Sequence, residues 1–98
     1  MSGIQEIQKT VARLAAKYGA QRVWLFGSCA RGEMDPTSDI DLRIDKGAIR
    51  GLELAGLLVE LEDALGFPVD LIPTSSLDQN FLASIQKEEV LLYEAAGI

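Results

Sequence analysis

Residues 25–42 read LFGSCARGEMDPTSDIDL: a Gly27-Ser28 pair, ten intervening residues, then Asp39-x-Asp41. Upstream, Arg22, Val23, Trp24, Leu25 and Phe26 have the number and residue types of a buried strand. Downstream, the run from Asp39 to Ile44 alternates polar and apolar residues as a half-buried strand does. The stretch therefore predicts strand, turn, strand.

Side chains alternate across a strand, so Asp39, Asp41 and Arg43 share one face while Ile40, Leu42 and Ile44 share the other, the core face. If the two strands run antiparallel, the backbone around Gly27 and Ser28 meets Asp39 and Asp41 at one edge. Two neighbouring carboxylates raise each other's pKa unless a cation lies between them. Oxygen donors without imidazole or thiolate suit Mg²⁺, which keeps several waters and takes phosphate oxygens into its shell. Glycine at position 27 lets a phosphate approach the backbone, and the Ser28 hydroxyl can donate to it. The ligand these residues predict is a metal-bound nucleoside triphosphate.

Three other motifs fail on their defining positions. Gly27 and Gly32 have Walker A spacing, but Glu33-Met34 replaces the Lys-Ser or Lys-Thr pair, and Pro36 blocks a long helix after it. A calcium loop starting at Asp39 has Ile44 where glycine belongs and Arg50 where glutamate belongs. The chain contains no histidine, so neither Ser28 nor Cys29 has an imidazole base for a hydrolytic triad.

The 98 residues suit one domain, 1–98, with a single core. No apolar run approaches the ~20 residues of a membrane span and no signal segment is evident, so a cytoplasmic protein without membrane contact is expected. The lone Cys29 excludes an internal disulfide and is read as a small core filler. A net charge of −6 argues against direct binding of nucleic acid, which depends on many Lys and Arg contacts to phosphate. The apolar share of 48% is high for a small domain, so part of that surface is expected to meet a protein partner.

Along the rest of the chain, Ser2-x-x-Gln5 resembles a capping box, after which Ile4, Ile7, Val11, Leu14, Ala15 and Tyr18 form one helical stripe ending near Gly19. Lys9, Arg13 and Lys17 occupy its solvent face. The linker 30–38 reads as turn with one short helical piece. Within it, Arg31 is the charge best placed for a phosphate, with a salt bridge to Glu33 or Asp35 as the equal alternative. Ser38 is expected chiefly to orient the turn before Asp39.

Residues 51–65 predict a second helix, with Leu54, Leu57, Leu58, Leu61 and Leu65 covering the sheet. Leu52 and Val59 project from its far side, with Gly56 between them, as a shallow docking face. Gly66 ends that helix, and residues 68–72 form a short strand bounded by prolines. A right-handed crossover through the helix would set this strand parallel to its predecessor and bring Asp70 beside Asp39 and Asp41. Ser76-x-x-Gln79 then predicts a cap for a third helix carrying Leu77, Phe81, Leu82 and Ile85 and ending near Lys87; residues 89–93 return to strand. Tyr18, Trp24 and Tyr93 read as core or rim aromatics. The expected class is α/β (α+β): a small mixed sheet of three to four strands flanked by helices.

With these residues in view, GSCARGEMDPTSDIDL resembles the signature of the DNA polymerase beta-type nucleotidyltransferase superfamily, and is closest to its minimal nucleotidyltransferases. The third aspartate of that pattern corresponds to Asp70 within FPVDLI, and VLLYE at 90–94 is similar to the family's last segment. The resemblance implies the polymerase beta-type nucleotidyltransferase fold and transfer of AMP from ATP to a hydroxyl, with two Mg²⁺ ions held by Asp39, Asp41 and Asp70. It further implies nucleotide binding by Gly27, Ser28, Arg31 and Ser38. Such proteins commonly pair, as antitoxins, with a helical toxin of the higher-eukaryote-and-prokaryote nucleotide-binding (HEPN) class, on which they adenylylate a tyrosine. Two alternatives stay open: transfer to a small molecule such as an aminoglycoside with a helical partner subunit, and a non-catalytic antitoxin that acts by binding. No segment announces a pocket for the base.

Overall fold

The computed structural model describes residues 3–33 and 39–96. Strand β1 (Arg22–Phe26) lies antiparallel to β2 (Ile40–Asp45), with Leu25 opposite Leu42 and Phe26 opposite Asp41. Strand β3 (Val69–Pro73) lies parallel to β2, and β4 (Val90–Glu94) antiparallel to β1, giving the order β3-β2-β1-β4. This is the mixed four-stranded sheet that the alternating sequence pattern anticipates.

The alternation has an energetic basis. Ile40, Leu42 and Ile44 have no solvent exposure, and Val23 and Leu25 join them on the same face. Burying each such aliphatic side chain favours folding by about 1.5–3 kcal/mol. Helix α1 (Ile4–Tyr18) and helix α2 (Leu52–Leu65) supply the matching layer through Ile7, Val11, Leu14, Leu57 and Leu61. Helix α2 ends at Gly66 in the left-handed conformation, from which the chain turns into β3. Because α2 spans the crossover between parallel strands, it fixes β3 at the side of β2.

Two expected caps differ. Helix α1 starts after Gly3 without a side-chain cap bond, and Ser2 lies outside the described residues. The segment after β3 forms a 3-10 turn, Thr74–Ser76, and helix α3 (Gln79–Ile85) begins later than expected. Its cap is Asp78, whose carboxylate accepts from the Phe81 N–H at 3.1 Å. Asp caps as well as Ser, and a turn following Pro73 absorbs the residues that the Ser76 reading assigned to the helix. The exposed face of α2 is as expected, with Leu52 90% and Val59 56% exposed. Gly56 is part of a different contact: a Cβ there would stand 3.2 Å from the Tyr18 hydroxyl, so α1 packs against it.

The face of β2 opposite the helices carries a buried cation. Arg43 is 4% exposed, its guanidinium lies 3.6 Å from the centre of the Trp24 ring, and it pairs with Glu89 at 2.6 and 3.0 Å. Arg43 also donates to the Thr74 hydroxyl at 3.1 Å. One side chain thus joins β2, the turn after β3 and the entry to β4. Trp24 is a rim aromatic as expected, and it is covered by a basic residue that the strand pattern had placed simply beside the aspartates.

Candidate active site

The site forms where β1 ends. Beyond Phe26 the chain bends at Gly27, whose φ of +76° lies in the left-handed region that favours glycine. The following residues wind into a helical turn: the amides of Ala30 and Glu33 donate to the carbonyls of Gly27 and Ser28 at 3.1 and 2.9 Å. In such a turn the leading N–H groups have no partner within it, which makes its start a place for an anion. Absence of a side chain at Gly27 is also a spatial requirement, because a Cβ there would collide with the Asp41 carboxylate and stand 3.2 Å from its Cγ. The buried Cys29 ties the turn to the second strand, its Sγ lying 3.4 Å from the Asp39 carbonyl oxygen.

Asp41 is the centre of the acidic group. In the parallel β2–β3 register it is the partner of Asp70. Partial burial and the neighbouring carboxyls of Asp70 and Asp39 push its pKa up to about 6. Asp39 is exposed and immediately precedes β2. Carboxylates so placed repel one another, which a divalent cation would relieve.

The donor set of Asp39, Asp41 and Asp70, all oxygen and all anionic, fits Mg²⁺ in kind. Among the described residues no three acidic or thiol side chains are gathered closely enough to enclose an ion by themselves.

The remaining candidates divide. Gly27 and Ser28 lie at the bend beside Asp41. Arg31 makes ion pairs with Glu33 at 3.3 Å, which was anticipated, and with Glu88 at 3.1 Å, which was not, since Glu88 follows α3 far along the chain. Both pairs are exposed and screened by solvent, and so are individually weak. Ser38 and Asp35 lie outside the described residues. Sequence reasoning missed the wall opposite the bend, where Phe81 and Ile85 of α3 face Phe26, Gly27 and Asp41 across a pocket of about 410 Å³. Its signal was Phe81 on the stripe of the third helix, which had been assigned to packing alone.

Comparison with known proteins agrees with this geometry. A family model described as polymerase beta, nucleotidyltransferase, matches residues 8–96. A candidate protein adenylyltransferase of Methanocaldococcus jannaschii is 39% identical over 75 residues, 76% of this chain and 81% of the relative. Protein adenylyltransferase MntA of Thermococcus cleftensis is 32% identical over 95 residues, 92% of this chain and 96% of the relative. Among solved structures, a candidate minimal nucleotidyltransferase superposes with a TM-score of 0.79 at 34% identity, covering 89% of this chain and 90% of that one. A toxin–antitoxin crystal structure with AMP-PNP superposes at 0.77 with 22% identity, covering 91% and 74%, a likeness of fold. No helix among the described residues is long and apolar enough to cross a membrane.

Proposed function

The chain belongs to the polymerase beta nucleotidyltransferase family, and from that premise we propose that it transfers AMP from ATP to a tyrosine hydroxyl of a partner HEPN-type toxin, acting as its cytoplasmic antitoxin. The observation that carries the reading is the Asp41–Asp70 pair in register across parallel strands, with the Gly27 bend against it. The protein-adenylyltransferase names of its relatives, and its structural likeness to a toxin–antitoxin complex, support the acceptor class.

In the proposed reaction the acceptor oxygen bonds to the α-phosphorus, the α–β bridging P–O bond breaks, and pyrophosphate leaves. Asp39, Asp41 and Asp70 would hold Mg²⁺, which when bound supplies charge neutralisation and a lowered pKa for the attacking hydroxyl. The bend at Gly27 and Ser28 holds the β and γ phosphates for in-line attack. Asp70, on the outer side of the pair, accepts the hydroxyl proton. Arg31 exchanges its exposed carboxylate partners for the oxygens of the departing pyrophosphate.

The decisive experiment incubates the protein with labelled ATP, Mg²⁺ and a HEPN-type helical protein from the same source, alongside an Asp39→Asn/Asp41→Asn control. The expected result is a covalent gain of one or more AMP masses on a tyrosine of the partner, lost in the control. Neutralisation of the partner by the control as strong as that by the wild type would instead establish a binding antitoxin.

A further inference from the structure

We infer that the pocket between the Gly27 bend and α3 is the nucleoside subsite, and that Phe81 is the face on which the base of the triphosphate stacks. The inference rests on the nucleotidyltransferase reading and extends it to a part of the substrate for which the chain shows no evident motif. Its volume of about 410 Å³ lies within the roughly 300–1,000 Å³ typical of small-molecule sites. The floor, Phe26 with Gly27 and Asp41, is continuous with the phosphate bend and the acidic group. A nucleotide held there by its phosphates therefore has its remaining bulk beside α3.

Phe81 is the residue of that wall whose placement packing does not explain. It is 45% exposed on a helix whose neighbouring Ile85 is buried. An edge-on contact with Phe26, with ring centres 6.1 Å apart and planes at 82°, holds the ring in place while leaving nearly half of it to solvent. Of the polar groups of the wall, the Ser84 hydroxyl donates to the Phe81 carbonyl at 2.7 Å, and Glu88 pairs with Arg31 at the margin of the same pocket. What the wall presents is an aromatic face more than a hydrogen-bonding edge. Such a surface recognises a base by stacking and discriminates weakly between adenine and guanine. Arg31 lines the same pocket, its guanidinium paired with Glu33 and Glu88.

The test measures binding of ATP and of inorganic tripolyphosphate, each with Mg²⁺, by titration calorimetry to the wild type and to Phe81→Ala, Phe81→Leu and Phe81→Tyr. Leucine keeps the apolar packing against Phe26 and removes the flat ring, so a loss shared by Ala and Leu variants is not a folding effect. Stacking of one base predicts that ATP affinity falls about tenfold in both, is retained in Phe81→Tyr, and that tripolyphosphate affinity is unchanged throughout. GTP should compete with ATP within a few-fold. Wild-type affinity for ATP in Phe81→Ala and Phe81→Leu, or an equal loss of ATP and tripolyphosphate, would overturn the subsite while leaving the phosphate site standing. Failure of the wild type to bind either ligand would overturn the nucleotide reading itself, and the subsite with it.

Discussion

Asp41 and Asp70 are register partners on adjacent parallel strands, and Asp41 lies against a bend that leaves no room for a side chain at position 27. Acids facing each other on the edge strand and its neighbour repel at neutral pH and cost the fold stability, which makes the pair the most informative place to perturb.

Stability should depend on pH through Asp41. Its carboxyl is raised from 3.8 to about 6 in the fold, so between those values the native state binds more protons than the unfolded state. The contribution is fully present below pH 3.8 and is lost as pH rises through about 6. Because the group is only partly buried, the effect is discounted to about 1–2 kcal/mol. Asp41→Asn should therefore unfold at a higher temperature than the wild type at pH 7 without metal, with the gain vanishing near pH 4. Thermal melts across that range read it directly, and Mg²⁺ should raise the wild-type midpoint more than that of the variant.

Asp70→Asn separates chemistry from binding. Loss of a general base typically costs about 10²–10⁴-fold in rate, so kcat should fall by that order while the affinity for ATP changes by only a few-fold. Single-turnover AMP transfer and nucleotide titration on the same preparation provide both quantities. An unchanged kcat would remove Asp70 from the reaction.

Gly27→Ala should damage activity more than folding. Its left-handed backbone costs a non-glycine residue about 1–2 kcal/mol. The added methyl also meets the Asp41 carboxylate and must displace it. The expected outcome is a folded protein with transfer reduced at least about hundredfold, since displacements near 1 Å carry penalties of that order. Circular dichroism and the AMP-transfer assay distinguish this from general unfolding.

Removing one partner of the buried Arg43–Glu89 pair should be among the most destabilising single changes to a charged residue in the molecule. Glu89→Ala leaves a nearly inaccessible guanidinium without its carboxylate, a loss of about 3–5 kcal/mol. Replacing both, as in Arg43→Met/Glu89→Leu, should recover most of that loss, because the desolvation of two charges is avoided along with their attraction. Urea denaturation of the single and double variants measures the difference. A double variant as unstable as Glu89→Ala would contradict the pairing.

Much of this arrangement was readable before any coordinates. The parity of Asp41 against Ile40 and Leu42, the bend at Gly27 and the crossover that brings Asp70 alongside all follow from strand alternation, glycine stereochemistry and the length of α2. The cap of α3 was misplaced because Ser76 and Asp78 are comparable capping residues two positions apart, and only the 3-10 turn after Pro73 decides between them.

The chain by itself thus determined the local chemistry: which residues alternate, where the backbone must bend, and which acids share a face, all of them properties set within a few consecutive residues. Tertiary structure alone decided what lies across from them. Arg43 meets Glu89 from 46 positions away, Arg31 meets Glu88, and Phe81 closes a pocket against Phe26 and Asp41. Those partnerships depend on how separate segments pack on one sheet, and packing of distant segments leaves no period or spacing in the sequence from which it can be read.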